Sequence, residues 1–445
     1  MPLPLPSVPL TVRWTSAGAL AALIVFAGLG GGEKAGGDAR LISYQPLPEM
    51  PEDSCVIPSG ALMAAPLRLT SLAAVQSSTV ISNPLRVIRD PYSAFSSVAV
   101  DMVRNEIVAT DEGHFQILVY DRLDNTPPTA AMTEPKRVIS GPRTEIEFQC
   151  GLYIDQATGD IYAVNNDTRD KLVIFSRQAE GDVAPDRWLH TPHGTFGIAV
   201  DEENQELFLT VQHDSAVVVY NKMATEEEPP LRLLQGNRTR LADPHGIAVD
   251  TKRGLIFVAN YGSTHDVSPT ENMRESKPNW PLGRRQAIPG SGKFYPPAIT
   301  VHSRTAEGNT PPLRVIEGPK TGLNWPTGMA FHSERNELFV SNDMVDSILV
   351  FDGNAQGNVA PIRVLKGPNT GIDNPTGIYL DTENDELWVA NFGNHSLSVY
   401  KMTVQGDTPP LRTIRSALPE KPSLMIGNPS AVAYDTKRKE ILVPN

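Results

Sequence analysis

The hydrophobic positions of this chain fall in short runs of four to six residues, rich in Val, Ile, Phe and Tyr, bounded by Gly, Pro, Asn and Asp. Runs of that length and composition between such breakers are strands. One run recurs seven times as Ser97-Val-Ala-Val-Asp101, Gly151-Leu-Tyr-Ile-Asp155, Gly197-Ile-Ala-Val-Asp201, Gly246-Ile-Ala-Val-Asp250, Gly328-Met-Ala-Phe-His332, Gly377-Ile-Tyr-Leu-Asp381 and Ala431-Val-Ala-Tyr-Asp435. The copies start 46 to 54 residues apart, apart from one gap of 82. Each of the first six is followed by a second run such as Glu386-Leu-Trp-Val-Ala-Asn391, a third such as Ser347-Ile-Leu-Val-Phe351, and a fourth such as Pro361-Ile-Arg-Val-Leu365, and the seventh by a second run. The unit is therefore a four-stranded meander, and its period is that of a propeller blade.

The first run is apolar on both faces, which suits a sheet packed between two other sheets. Radial packing of such sheets gives an all-β fold, a β-propeller of four-stranded antiparallel blades with only short protected edges. The C-terminal end supplies a seventh first and second strand, while Pro84-Leu-Arg-Val-Ile88 reads as a fourth strand with nothing before it. Joining them predicts seven blades, closed by strands from both termini; six blades with redundant end strands is the alternative. Pro84, Pro135, Pro185, Pro230, Pro312, Pro361 and Pro410 each open a fourth strand, where a missing N–H is tolerated at an outer edge.

The predicted organisation has three parts. Residues 1–35 carry an uncharged stretch from Trp14 to Gly32 whose apolar part, Ala17 to Leu29, has the length of a signal-peptide h-region. This predicts a secreted, periplasmic or cell-envelope protein, with the membrane touched only through an uncleaved N-terminal anchor. Residues 36–78 read as a low-complexity arm or linker. Residues 79–445 form the propeller, with an insertion at 261–297 in the fourth repeat. Cys55 and Cys150 are the two cysteines; they form one disulfide or remain two thiols. A formal net charge of −12, from 51 acidic and 39 basic residues, argues against nucleic acid, which needs a basic face.

Asn374-Pro-Thr-Gly-Ile-Tyr-Leu-Asp381, with Glu386 to Asn391 and Ser396-Leu-Ser-Val-Tyr400, resembles the NHL and YVTN-type propeller repeats, as do 244–260 and 326–351. The resemblance implies the fold; scaffolds, ligand-binding envelope proteins, lactonases and lyases all look like this, so it does not choose a function.

Features present in every unit hold the fold, and function is sought where the symmetry breaks. The acids ending the first strands are turn caps. The residues ending the second strands, including Asp111, Asn165, Asn260, Asn342 and Asn391, read as Asx turns; the alternative is a calcium or magnesium site, since hard cations take carboxylate and amide oxygens. Broken symmetry points to the insertion, with Trp280, Arg284, Arg285, Phe294 and Tyr295 as binding residues, to His193 and His245 before first strands, and to His213 after a second strand. Pro244-His-Gly246 is similar to segments of propeller lyases, where a His near the axis acts as acid, base or metal ligand. The leading expectation is a propeller that binds a protein, glycan or small-molecule ligand on its insertion-bearing face. The alternative is a divalent-metal-assisted lactonase or lyase using those histidines at the channel mouth.

Overall fold

The computed structural model describes residues 86–90, 93–166, 169–269, 280, 282, 285–394, 396–415, 433–435 and 440–442. The chain divides into two units, Met1–Ser77 and Ser78–Asn445. The first lies wholly outside the described residues, as do Cys55 and the apolar N-terminal segment.

In the second unit, six antiparallel four-stranded sheets follow one another along the chain as blade 1 (95–140), blade 2 (149–190), blade 3 (195–235), blade 4 (244–317), blade 5 (326–366) and blade 6 (375–415). Strand order from inner to outer follows chain order, as a meander requires. Each blade is apolar on both faces because each face meets a neighbour. Six buried clusters result, one per blade interface, and one of them joins Phe95, Val98 and Tyr120 of blade 1 to Trp388, Leu397 and Ile414 of blade 6. Six interfaces for six sheets leave no gap in the ring.

The glycine that opens the inner-strand motif is fixed by crowding between neighbouring inner strands. A Cβ on Gly151, Gly197, Gly246 or Gly328 would come within 2.7, 2.3, 2.0 and 2.6 Å of a carbonyl oxygen of the next blade's inner strand. Blade 6 meets blade 1 less tightly: a Cβ on Gly377 would stand 3.2 Å from Ser97 Cα and 3.3 Å from Ser96 O, and Thr376 Oγ1 donates to the Ser96 carbonyl at 2.7 Å.

The blade number corrects the seven-blade expectation to the six-blade alternative. Arg86–Arg89, from the segment read as the outer strand of a seventh blade, instead pairs in parallel with Arg412–Arg415, the outer strand of blade 6. Its other edge accepts Thr126 N–H at Val87 O (2.7 Å) and Thr133 N–H at Arg89 O (2.8 Å), both from blade 1. At the other five junctions the next blade's third-to-fourth connection bridges the outer strand directly, as Gly181 does to Ile139 and Gly406 to Leu365. The early strand is thus a wedge in the junction that closes the ring. Ala433–Asp435 and Glu440–Leu442 pair with each other, and among the described residues neither adds to a blade.

Local chemistry repeats with the blades. Asp101, Asp201 and Asp381 each accept the backbone N–H three residues on, at 2.9, 3.0 and 3.0 Å, so these acids cap their turns. An Arg opening the outer strand pairs with a Glu opening the second strand in blades 1, 3, 5 and 6, as in Arg137–Glu106 at 2.7 Å. Burial alone would raise the Glu106 carboxyl, but hydrogen bonds from Arg137 and Lys136 outweigh it and hold it at about 2. The outer-strand prolines stand two residues before Arg137, Arg187, Arg232, Arg314, Arg363 and Arg412, just outside the ladder, where no N–H is needed.

Candidate functional site

One rim of the ring is built on a fixed backbone bond. The carbonyl just ahead of each inner strand accepts an N–H from the residue that follows the second strand: Ala94 from Glu112, Phe148 from Asn166, Gly194 from Gln212, Asp243 from Tyr261, Trp325 from Asp343 and Asn374 from Phe392. The inner strands then begin with a bulge, placed between Pro244 and Ile247 in blade 4 and between Pro326 and Met329 in blade 5. Bulges re-aim side chains, and the residues in them, His245 and Thr327, come next to the residues that follow the second strands.

His245 is 5% exposed. Its ring stacks on Tyr261, with centroids 3.4 Å apart and planes 10° apart, and meets Phe196 at 4.4 Å. Its Nδ1–H donates to the Asp243 carbonyl at 3.0 Å, which leaves Nε2 to accept from the Gln212 amide nitrogen at 2.5 Å. Gln212 in turn accepts from Asn166 Nδ2 at 2.9 Å. The chain of donors fixes the neutral tautomer, and burial pushes the His245 pKa down to about 3. Asp243 accepts from Ser263 Oγ at 2.8 Å, and burial raises its carboxyl despite that bond.

The stack continues outward. Tyr261 lies against Trp325, with centroids 4.9 Å apart and planes 25° apart, and its hydroxyl meets Thr327 Oγ1 at 3.3 Å. Trp325 is 47% exposed. A cavity of about 450 Å³ opens beside this stack, lined among others by Gln212, His213, Asp243, His265 and Phe294. A second cavity of about 270 Å³ reaches Gln235, Arg240 and Tyr295. The two share His213, Ser215, Thr264, His265 and Lys293, so they form one continuous groove.

The insertion forms the groove's outer wall. Ser263–Thr264 pairs with Lys293–Phe294, and Val267–Pro269 with Arg285–Ala287, which makes a hairpin arm. Its root is tight: Tyr295 N–H donates to Gly262 O at 2.8 Å, and Gly262, at φ +109°, leaves no room for a Cβ, which would stand 2.0 Å from Tyr295 O. Phe294 is 89% and Tyr295 44% exposed. Trp280 turns away from the groove, stacking on His190 at 5.8 Å and packing with Leu282 on the cluster between blades 2 and 3. Arg285 is described only in its backbone, and Arg284 lies outside the described residues.

Of the three histidines singled out from the sequence, His213 and His245 line the groove. His193 stacks on His213 at 5.3 Å, with its Nδ1 3.1 Å from Asp170 Oδ1. Asp111, Asn165, Asn260, Asn342 and Asn391 are engaged each in its own blade. Their side-chain oxygens accept the N–H of Ala94, Glu147, Ala242, Asn324 and Asp373, on the segments leading into the inner strands. Among the described residues no group of three or more His, Cys, Asp or Glu side chains is placed to hold a metal.

Sequence reasoning did not single out Trp325. The position ahead of the inner strand takes a left-handed backbone in five blades: Phe148 (φ 27°), Gly194 (74°), Asp243 (53°), Trp325 (54°) and Asn374 (42°). Gly, Asn and Asp tolerate that region, and a bulky side chain there is an outlier. Aligning the repeats on Pro244, Pro326 and Pro375 would have shown a Trp where the neighbours carry Asp and Asn.

The NHL repeat model matches residues 373–400, which run from just ahead of the inner strand of blade 6 into its third strand. No curated protein matches the chain. Among solved structures, a functionally unknown protein from Desulfotomaculum acetoxidans DSM 771 is similar at 11% identity and a TM-score of 0.43, over 70% of this chain and 83% of that one. In the repeat from which its sixth blade is built, this propeller is similar to the NHL repeat.

Proposed function

We propose that this protein is a binding module whose ligand occupies the groove between the hairpin arm and the rim of blades 3 to 5. The observation that carries the reading is the strained, half-exposed Trp325. A bulky residue at φ +54° costs on the order of 1–3 kcal/mol, and such outliers concentrate where a ligand is held. The groove has the mixed apolar and polar lining and the size of a small-molecule site. Binding is favoured over turnover because both nitrogens of His245 are taken by hydrogen bonds and its ring is covered by Tyr261 and Phe196. An acid or base must reach the proton it moves. The apolar segment Ala17 to Leu29 supports export, so the ligand would be met outside the cytoplasm.

A thermal-shift screen of sugars, peptides, nucleotides and carboxylates tests this on the wild type and on Trp325→Asn. Compounds that stabilise the wild type and leave the variant unmoved support the reading. A panel in which every compound acts on both alike, or on neither, counts against it.

A further inference from the structure

The groove's lining narrows the ligand class, and the inference that follows rests on the binding reading just given. Three observations decide it. Trp325 leans on Tyr261, which leans on His245, so the indole is held as a rigid shelf beside the cavity. A second partly exposed aromatic, Tyr295, carries the Arg240 guanidinium over its ring at 5.7 Å and lines the cavity that Trp325 does not, so each of the two joined cavities has an aromatic of its own. The cations are paired: Lys293 with Asp266 at 2.8 Å and Arg240 with Glu317 at 2.7 Å. A phosphate or carboxylate ligand would have to compete with these carboxylates for its cations. A ring with one apolar C–H face and a rim of hydroxyls fits better, since the face lies on an aromatic and the hydroxyls both donate and accept. Side chains between the two aromatics, Ser215, Thr264 and His265, supply that mixed hydrogen bonding.

We infer that the groove binds a neutral oligosaccharide, with Trp325 as the platform for one sugar ring and Tyr295 for another. A ligand of several rings would engage both cavities, so affinity is expected to grow with chain length until the groove is filled.

Calorimetric titration of the full chain with neutral gluco-, xylo-, manno- and chito-oligosaccharides, from disaccharide to hexasaccharide, tests this. At least one series is expected to bind, gaining about tenfold in affinity between the short and middle members, and Trp325→Ala is expected to lose about tenfold or more. Tyr295→Ala should flatten the length dependence, costing the hexasaccharide more affinity than the disaccharide. The melting temperature of each variant shows whether it is folded. If no neutral series binds while a nucleotide, peptide or carboxylate binds in a Trp325-dependent way, the saccharide assignment is overturned and the binding module stands. If nothing binds in a Trp325-dependent way, both fall.

Discussion

Asn374 and Trp325 occupy the same place in neighbouring blades, and both adopt a left-handed backbone, at φ 42° and 54°. In blade 6 the side chain closes the rim: Asn374 Nδ2 donates to Asp343 Oδ1 at 2.8 Å and its backbone N–H to Asp346 Oδ1 at 2.9 Å. In blade 5 the side chain opens it, an indole leaning on Tyr261 above a cavity. The backbone bond that the ring needs is made in both sectors, from Phe392 to Asn374 and from Asp343 to Trp325. The fold is therefore indifferent to which side chain stands there. One sector uses that freedom for local hydrogen bonding, and the other carries strain in exchange for an exposed aromatic.

The largest expected effect contrasts the inner strands of the two sectors. A Cβ on Gly246 would stand 2.0 Å from the Thr327 carbonyl oxygen, whereas on Gly377 its nearest neighbour is Ser97 Cα at 3.2 Å. Denaturant unfolding should show Gly246→Ala losing about 3 kcal/mol or more, or failing to fold, and Gly377→Ala losing about 1 kcal/mol. Equal costs would mean that the two junctions are packed alike.

Next comes pH. His302, in the third strand of blade 4, is fully buried with no hydrogen-bond partner on either nitrogen among the described residues, and burial pushes its pKa down to about 4. A His whose folded pKa lies below its unfolded value binds its proton more readily when unfolded. Its stabilising effect is therefore complete above about 6.5 and drains away as pH falls towards about 4, a loss of about 3 kcal/mol. His245 adds to the same slope in the same direction. Unfolding measured at pH 7.5 and pH 4.5 should show the fall, and His302→Leu should make it shallower; a slope that His302→Leu leaves unchanged would place the effect elsewhere.

Two tryptophans sharpen the contrast between anchoring and display. Trp280 packs the arm onto the cluster of blades 2 and 3, so Trp280→Ala should cost about 2 kcal/mol in denaturant unfolding. Trp325→Asn places in blade 5 the residue that blade 6 uses. Relief of strain should raise stability by about 1 kcal/mol while ligand binding is lost, a trade seen where sites store strain. A variant that loses stability would show that the indole holds the rim together.

Seven inner-strand motifs, their period and the wholly apolar first run were enough to read the propeller from the sequence, because strand chemistry is local. Blade number was not readable, because Arg86–Arg89 has the local pattern of an outer strand and only its long-range partners, Arg412–Arg415 on one side and Thr126 and Thr133 on the other, make it a wedge. The irregular features that the sequence exposed, the insertion with His213 and His245, come together in one groove because the fourth-to-first and second-to-third connections share a rim. Trp325 escaped because its oddity lies in its backbone: a Trp in a loop is ordinary until its φ is known. The Arg–Glu pairs between outer and second strands escaped for a similar reason, since 26 to 31 residues separate the partners.

The most direct test of the groove uses the scarcity of tryptophan. The chain has five, Trp14, Trp188, Trp280, Trp325 and Trp388, so fluorotryptophan labelling gives a fluorine NMR spectrum assignable by single substitutions. Titration with the neutral oligosaccharide series should shift the Trp325 resonance strongly and leave that of Trp388, buried between blades 6 and 1, where it was. A ligand that binds while Trp325 stays unmoved would place the site elsewhere and contradict the account.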